Sequence, residues 1–320
     1  MDFSQSWRPT AEHATLIQRA KLLRDIREFF YERHVLEVDT PLLSAFGVTE
    51  PHTLNLSVKD TLGNELGYLQ TSPEYAMKRL LCSGVGSIYQ IGKAFRDDQE
   101  SRYHSPEFTL LEWYRVGFNM AELMDEIDEL LLMLLDCASA KRFSYQQSFH
   151  AYLDIDPWQC ELSTLKAVAK HKANYESSED DERDTLLNLL FSTCIEPHLG
   201  FNEPCFVFHY PNSQASLAAT HPEDANLALR FELFINGVEI ANGFEELTQV
   251  KEQRRRFEQD NRERQKMGLP HMAIDERFLS SLEAGLPICS GVALGVERLM
   301  MIIKKAQHIE QVIAFPYSRA

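Results

Sequence analysis

The sequence predicts an α+β fold, an antiparallel β-sheet flanked by helices, and three observations carry that expectation. Residues 89–115 read as a strand, a charged loop and a returning strand. The run Arg230 to Leu247 sets Asn236-Gly237 between alternating apolar stretches, a strong short-range hairpin signal. Segments with helical apolar spacing lie around both hairpins. At 320 residues and 44% hydrophobic content the chain can bury a large core in one or two domains.

Composition narrows the function classes. No apolar run approaches a membrane span, and the opening MDFSQSWRPT lacks the apolar stretch of a secretory signal. The six cysteines (82, 137, 160, 194, 205 and 289) have no paired metal spacing, so reduced thiols and a cytoplasmic setting are expected. The formal charge of −16 disfavours a protein that grips nucleic acid along its backbone. It favours a basic protein or a small cationic partner.

Residues 14–35 place Leu16, Ile17, Ala20, Leu23, Ile26, Phe29 and Phe30 at helical spacing, and Val35 to Pro41 reads as a strand closed by proline. Residues 52–71 read as short strands around a turn at Gly63-Asn64. At 71–79 a strand end meets a helix start, with Ser72 as N-cap and Pro73 at the first helical position. Glu74 then lies where the helix dipole favours an acid, or where it can meet a substrate ammonium.

The central hairpin loop holds Arg96, Asp97, Asp98, Arg102 and His104, more charge than a connection needs. Arg96 suits a bidentate grip on phosphate or carboxylate, and Phe108 suits stacking on a base. A solvated loop with surface ion pairs is the alternative. Residues 120–136 read as an amphipathic helix with an acidic outer face, and 141–200 as an insertion with helical stretches, including 184–195. The acidic run from Glu176 to Asp184 reads as an exposed loop or a docking surface for a basic protein.

In the second hairpin the two-residue turn sets Ile235 opposite Val238, Phe234 opposite Glu239 and Glu232 opposite Ala241. Glu232 and Glu239 then share a sheet face as diagonal neighbours, on the order of 7 Å apart. Such a pair repels unless protons or a cation neutralise it, and it suits Mg²⁺ bridging to phosphate oxygens. An exposed polar face is the alternative. Residues 248–267 read as a solvated, charged helix whose Arg254, Arg255 and Arg256 are offset by neighbouring acids. Finally, residues 289–302 read as a small-residue strand entering an apolar helix, with Gly291 and Gly295 permitting close backbone approach and Arg298 near the helix start.

These motifs together carry a resemblance. Phe95-Arg96 followed by Arg102-x-His104-x-Pro106-Glu107-Phe108-Thr109-x-x-Glu112 resembles motif 2 of the class II aminoacyl-tRNA synthetases. The helix, strand and proline up to Pro41 resemble motif 1, and the stretch through Gly295 to Arg298 resembles motif 3. Within the class the chain looks most like the lysyl enzymes and their stand-alone, protein-modifying paralogues. Lysyl-tRNA synthetases carry an anticodon-binding barrel ahead of motif 1, and there is no room for one before residue 14. A single class II synthetase-like catalytic domain over 1–320, with a helical insertion at about 141–200, is therefore expected.

The resemblance implies ATP-dependent activation of (R)-β-lysine or lysine as an adenylate, then transfer to a lysine of elongation factor P. It implies ATP and Mg²⁺ as cofactors, a homodimer formed through motif 1, and no stable tRNA binding. Arg96 and Arg298 would be catalytic. ATP would meet Arg96, Asp97, Asp98, His104, Ser105, Phe108, Glu239, Ile240, Gly295 and Arg298. The amino acid would meet Ser72, Pro73, Glu74, Tyr114, Asn242, Glu246 and Ala293, with Glu246 and Tyr114 at its distal amine. Glu232 and Glu239 would hold the metal. The chain departs from the family pattern at Asp98, Ser105 and Ala293, where glutamate, asparagine and glycine are usual. Two other readings are a synthetase that charges tRNA without its anticodon domain, and a non-catalytic paralogue that senses an amino acid.

Overall fold

A computed structural model of the chain describes residues 7–179 and 181–320. The first six residues of the expected 1–320 domain, and Asp180 of the acidic run, lie outside the described residues. Two compact units are present, one of Met1–Asn119 with Glu246–Ala320 and one of Met120–Glu245.

The first unit opens with α1 (His13–Glu32), β1 (Leu36–Glu37), β2 (Leu43–Ser44), β3 (Leu56–Lys59), β4 (Glu65–Leu69), α2 (Glu74–Cys82), β5 (Ile88–Phe95) and β6 (Glu107–Val116). Helix α1 buries Leu22, Ile26, Phe29 and Phe30, while Ile17 is 72% exposed. Its buried stripe is narrower than the seven-residue face expected. Phe30 stacks on Tyr89 at 4.5 Å and meets Trp113 edge-on at 5.3 Å, which fixes α1 on one face of the β5–β6 hairpin. The hairpin is antiparallel from Ile88↔Tyr114 to Phe95↔Glu107, as expected. Strand β1 is only two residues long and pairs parallel with β5.

The turn between β3 and β4 is held by Asp60, whose Oδ1 accepts from the backbone N–H groups of Leu62 and Asn64. Gly63 takes the left-handed conformation there, with φ +86°. Helix α2 differs by one residue from expectation. Pro73 is the N-cap, its carbonyl accepting the Met77 N–H, and no side chain caps the helix because proline has no side-chain acceptor.

The second unit contains α3 (Met120–Leu134), β7 (Lys141–Ser144), α4 (Tyr145–Leu153), α5 (Leu162–Ala173), α6 (Arg183–Leu190), β8 (Cys205–Phe208), β9 (Arg230–Ile235) and β10 (Val238–Glu245). Its strands run in the order β10-β9-β8-β7. Tyr145, Phe149, Leu186, Phe191, Tyr210 and Phe234 form a buried core on one sheet face. The segment 141–200 is mainly helical, but it opens with β7, a strand paired parallel with β8. The expected helix at 184–195 becomes α6 followed by a π-helical turn over Phe191–Ile195.

The first unit resumes with α7 (Val250–Lys266), α8 (Glu276–Gly285), β11 (Cys289–Gly295) and α9 (Val296–Lys304). Strand β11 pairs antiparallel with β6 from Cys289↔Val116 to Gly295↔Leu110. Tyr75 of α2 stacks on Phe278 of α8 at 4.5 Å. Helix α7 is not wholly solvated. Arg254 pairs with Glu276 and Arg255 with Glu252 at the surface, but Arg256 and Arg264 are buried.

The α+β class holds, with a correction: the sheet is mixed, since β1 and β7 each add a parallel pair. All six cysteines are free thiols. Among the described residues no helix is long and apolar enough to cross a membrane.

Candidate active site

Side chains directly opposite each other in a ladder share a sheet face. The β6 register therefore sets Phe108, Leu110, Glu112 and Tyr114 on one face, with Gly295 opposite Leu110, Ala293 opposite Glu112 and Gly291 opposite Tyr114. Leu111 and Trp113 take the other face, which α1 covers. One face of the first unit thus carries an aromatic ring at one end and an acid–phenol pair at the other.

That acid end is dense with charge. Tyr114 donates to Glu112 Oε1 at 2.8 Å, and Glu112 Oε2, also buried, has no hydrogen-bond partner. Burial, then the neighbouring Glu74 charge, pushes the Glu112 carboxyl up to about 8. Lys78 is 1% exposed, and its ammonium lies 2.6 Å from Glu74 Oε1 and in an ion pair with Glu246 Oε2. Burial opposes the Lys78 charge, but Glu246 and Glu74 more than offset it and raise its pKa. Glu246 is itself raised, first by burial and then by repulsion from Glu74, against the pull of Lys78. A Cβ at Gly291 would fall 2.4 Å from the Tyr114 ring and 2.7 Å from Glu246 Oε1. Glycine is required there by close side chains of the protein itself. Glu74, Tyr114 and Glu246 thus gather as expected, while Ser72 and Pro73 lead into α2, half-buried and buried.

At the other end, the Arg96 guanidinium lies 5.2 Å from the centre of the Phe108 ring. Arg298, at the start of α9, meets His104 Nε2 at 3.0 Å and the Tyr103 carbonyl at 3.4 Å, tying the 96–106 loop to that helix. Ser105 is buried in this loop, Asp98 half-buried and Asp97 exposed. The nearest atoms to a Cβ at Gly295 would be those of the Arg298 side chain, at 3.8 Å, so the backbone there is open to close approach.

In the second unit the Asn-Gly turn sets Ile235 opposite Val238 and Phe234 opposite Glu239, as expected. Beyond that the register shifts. A bulge between Glu239 and Ala241 brings Asn242, not Ala241, opposite Glu232. Ala241 moves to the other face opposite Leu233, and Ile240 is buried at the bulge. Glu232 and Glu239 still share a face. Burial raises the Glu232 carboxyl, Arg230 pulls it back and the Glu239 charge raises it further. Tyr210 donates to Glu232 at 2.7 Å, Asn242 at 3.1 Å, and Arg230 forms an ion pair with it.

Hard oxygen donors of this kind fit Mg²⁺. Asn242 Oδ1, a neutral amide oxygen that is buried and without a hydrogen-bond partner, lies beside these carboxylates. Among the described residues no group of three His, Cys, Asp or Glu could hold a metal ion.

Two residues of the acid cluster escaped the sequence reading, Glu112 and Lys78. Both signals were present: Glu112 closes the motif 2 pattern at the spacing that shares a face with Phe108 and Tyr114, and Lys78 follows Glu74 by one helical turn.

Comparison with known proteins bears on this arrangement. The chain is 52% identical over 320 residues to a Proteus mirabilis protein named elongation factor P–(R)-β-lysine ligase, covering 98% of each. It is 49% identical over 325 residues to a protein of the same name from Yersinia enterocolitica, covering 100% of each. A third, from Mannheimia succiniciproducens, is 49% identical over 320 residues and covers 99% of each. The family model described as tRNA synthetases class II (D, K and N) matches residues 4–319, and the chain belongs to that family.

Proposed function

We propose that this chain is an ATP-dependent, AMP-forming ligase that activates (R)-β-lysine, or lysine, and transfers it to a lysine side chain of elongation factor P. The observation that carries this reading is the acid cluster, with buried Glu112 and Glu246 oxygens lacking hydrogen-bond partners on the face that also carries Phe108. Buried carboxylates of that kind select an ammonium. The names of the relatives, at about half identity over full length, point to the same substrate and acceptor.

In the first step a carboxylate oxygen of the amino acid attacks the α-phosphorus of ATP. The bond to the β-phosphate oxygen breaks, and pyrophosphate leaves. Arg96 would grip the substrate carboxylate and α-phosphate and stabilise the charge that builds on the phosphoryl oxygens. Phe108 would stack on one face of adenine and Arg298 would cover the other. In the second step the amine nitrogen of the acceptor lysine attacks the acyl carbon, AMP leaves and the amine loses a proton. No nucleophilic side chain is needed, because holding the reactants in line supplies much of the rate.

Glu74 would take the ammonium nearer the carboxylate, and Glu112, Tyr114 and Glu246 the distal one. Asp97, Asp98, His104, Ser105, Ile240 and Gly295 would complete the nucleotide contacts, and Ser72, Pro73, Asn242 and Ala293 those of the amino acid. Glu232 and Glu239 would hold Mg²⁺, which neutralises phosphate charge when bound. The proposal includes one catalytic domain over 1–320, a cytoplasmic setting supported by six free thiols, and a homodimer. The exposed apolar side chains Ile17 and Tyr31 of α1 and Leu36 of β1, in the elements that resemble motif 1, support the dimer.

Amino-acid-dependent ATP–pyrophosphate exchange over α-lysine, β-lysine and analogues tests the reading. Exchange with a lysine isomer supports an enzyme, and no exchange with any of them would leave an amino-acid sensor. Efficient charging of tRNA would instead favour a synthetase, against the charge of −16.

A further inference from the structure

Three carboxylates gather at the acid end of the first unit, from Glu74, Glu112 and Glu246, yet the expected substrate brings two ammonium groups. The remaining cation is on the protein. Lys78 is fully buried, and its ammonium joins Glu74 to Glu246. The stack of Tyr75 on Phe278 holds α2, the helix that carries Lys78, against α8. Glu112 Oε2 and Glu246 Oε1 are buried without a hydrogen-bond partner, while Lys78 is ion-paired with the other Glu246 oxygen.

We propose that Lys78 is the resident cation of the amino-acid pocket, a positioning and specificity-determining residue that leaves the three carboxylates a net charge matched to a diamino acid. The inference rests on the ligase reading above and deepens it. With Lys78 charged and all three carboxyls ionised, as in the substrate-bound state, the cluster carries two net negative charges, which two ammonium groups neutralise, while the substrate carboxylate is left to Arg96. Without Lys78 the three carboxylates face one another with only Arg96 and the Tyr114 hydroxyl to temper them. They then hold more protons at neutral pH than in the wild-type protein, and an incoming ammonium must displace them. A simpler role for Lys78 is an i,i+4 brace for α2 with Glu74. Replacing a buried ion-pair partner by an apolar residue changes stability, but a mere brace has no reason to alter how binding depends on pH.

The test compares wild type with Lys78→Met, Lys78→Gln and Lys78→Arg. It uses pyrophosphate exchange with β-lysine and α-lysine between pH 6.5 and 8.5, together with calorimetric binding of both amino acids and melting temperatures. In the neutral variants KM is expected to rise roughly tenfold or more at pH 7, because each proton displaced costs a factor of ten per pH unit below the carboxyl pKa. The rise should shrink toward pH 8.5, with kcat much less affected. Lys78→Arg should keep the wild-type pH slope. Should Lys78→Met not fold, Lys78→Gln carries the same expectation.

A neutral variant with wild-type KM and pH slope would overturn the proposal, as would one that only lowers the melting temperature. Failure of the ligase reading looks different: wild type itself would then give no lysine-dependent exchange. Calorimetry still decides the role of Lys78 in that case, and wild type that binds neither lysine isomer would overturn both.

Discussion

Ala293 stands directly opposite Glu112 across the β6–β11 ladder, so its methyl group leaves the sheet on the same side as a buried carboxylate. Two residues away, Gly291 leaves no room for a Cβ against Tyr114 and Glu246. The methyl of Ala293 is therefore added bulk on this strand, at the position where the resemblance to the lysyl-tRNA synthetases implies glycine. It would crowd an α-ammonium, whereas an amine moved to the β-carbon escapes it and still reaches Glu74.

Wild type is accordingly expected to prefer β-lysine over α-lysine. Ala293→Gly should narrow or reverse the preference, mainly by improving α-lysine, since one methyl discriminates by about 1–3 kcal/mol. Specificity constants for both isomers in both proteins, from pyrophosphate exchange, check this. An unchanged ratio would make Ala293 a packing residue only.

Glu112 predicts a pH dependence whose sign follows from burial. Its carboxyl is raised from 4.5 to about 8 in the folded chain. Its contribution to stability is thus complete below pH 4.5 and is lost as pH rises through 8. The ligand-free protein should lose stability over that window by roughly a few kcal/mol from this group. Lysine binding should release protons near pH 7 and stabilise more at pH 8.5 than at pH 6. Melting curves, and calorimetry in buffers of different ionisation enthalpy, measure both effects. Glu112→Gln should flatten the stability profile and remove its share of proton release; a profile unchanged by that substitution would assign the dependence to other groups.

Glu239→Gln is expected to abolish adenylate formation while the fold survives, because a half-buried residue is changed to its neutral isostere. Removing a metal ligand loses several kcal/mol of charge stabilisation in the transition state. Pyrophosphate exchange at the wild-type level in this variant would remove Glu239 from the proposed metal site.

What the residues revealed in advance, and what they hid, divides along a physical line. The β5–β6 hairpin and the Asn236-Gly237 turn are local structures, and turn chemistry with alternation specifies them. The bulge after Glu239 is not specified that way; no residue there announces an extra position in the ladder, so Asn242 replaced Ala241 as the partner of Glu232. Strands β1 and β7 were shortened or missed because each pairs in parallel with a strand far along the chain. Their own few residues carry little signal. The role of Lys78 was hidden for another reason. A lysine one turn after a glutamate reads as a surface pair, and only its burial against Glu246 gives it a different part.

The central claim is transfer of a lysine-type acyl group to a protein. Its most direct measurement is the intact mass of elongation factor P after incubation with the enzyme, ATP and (R)-β-lysine, at several salt concentrations. One added lysyl mass on a lysine of that protein is expected, with transfer weakening as salt screens the attraction to an enzyme of charge −16. An unmodified elongation factor P, alongside efficient charging of tRNA by the same preparation, would contradict it.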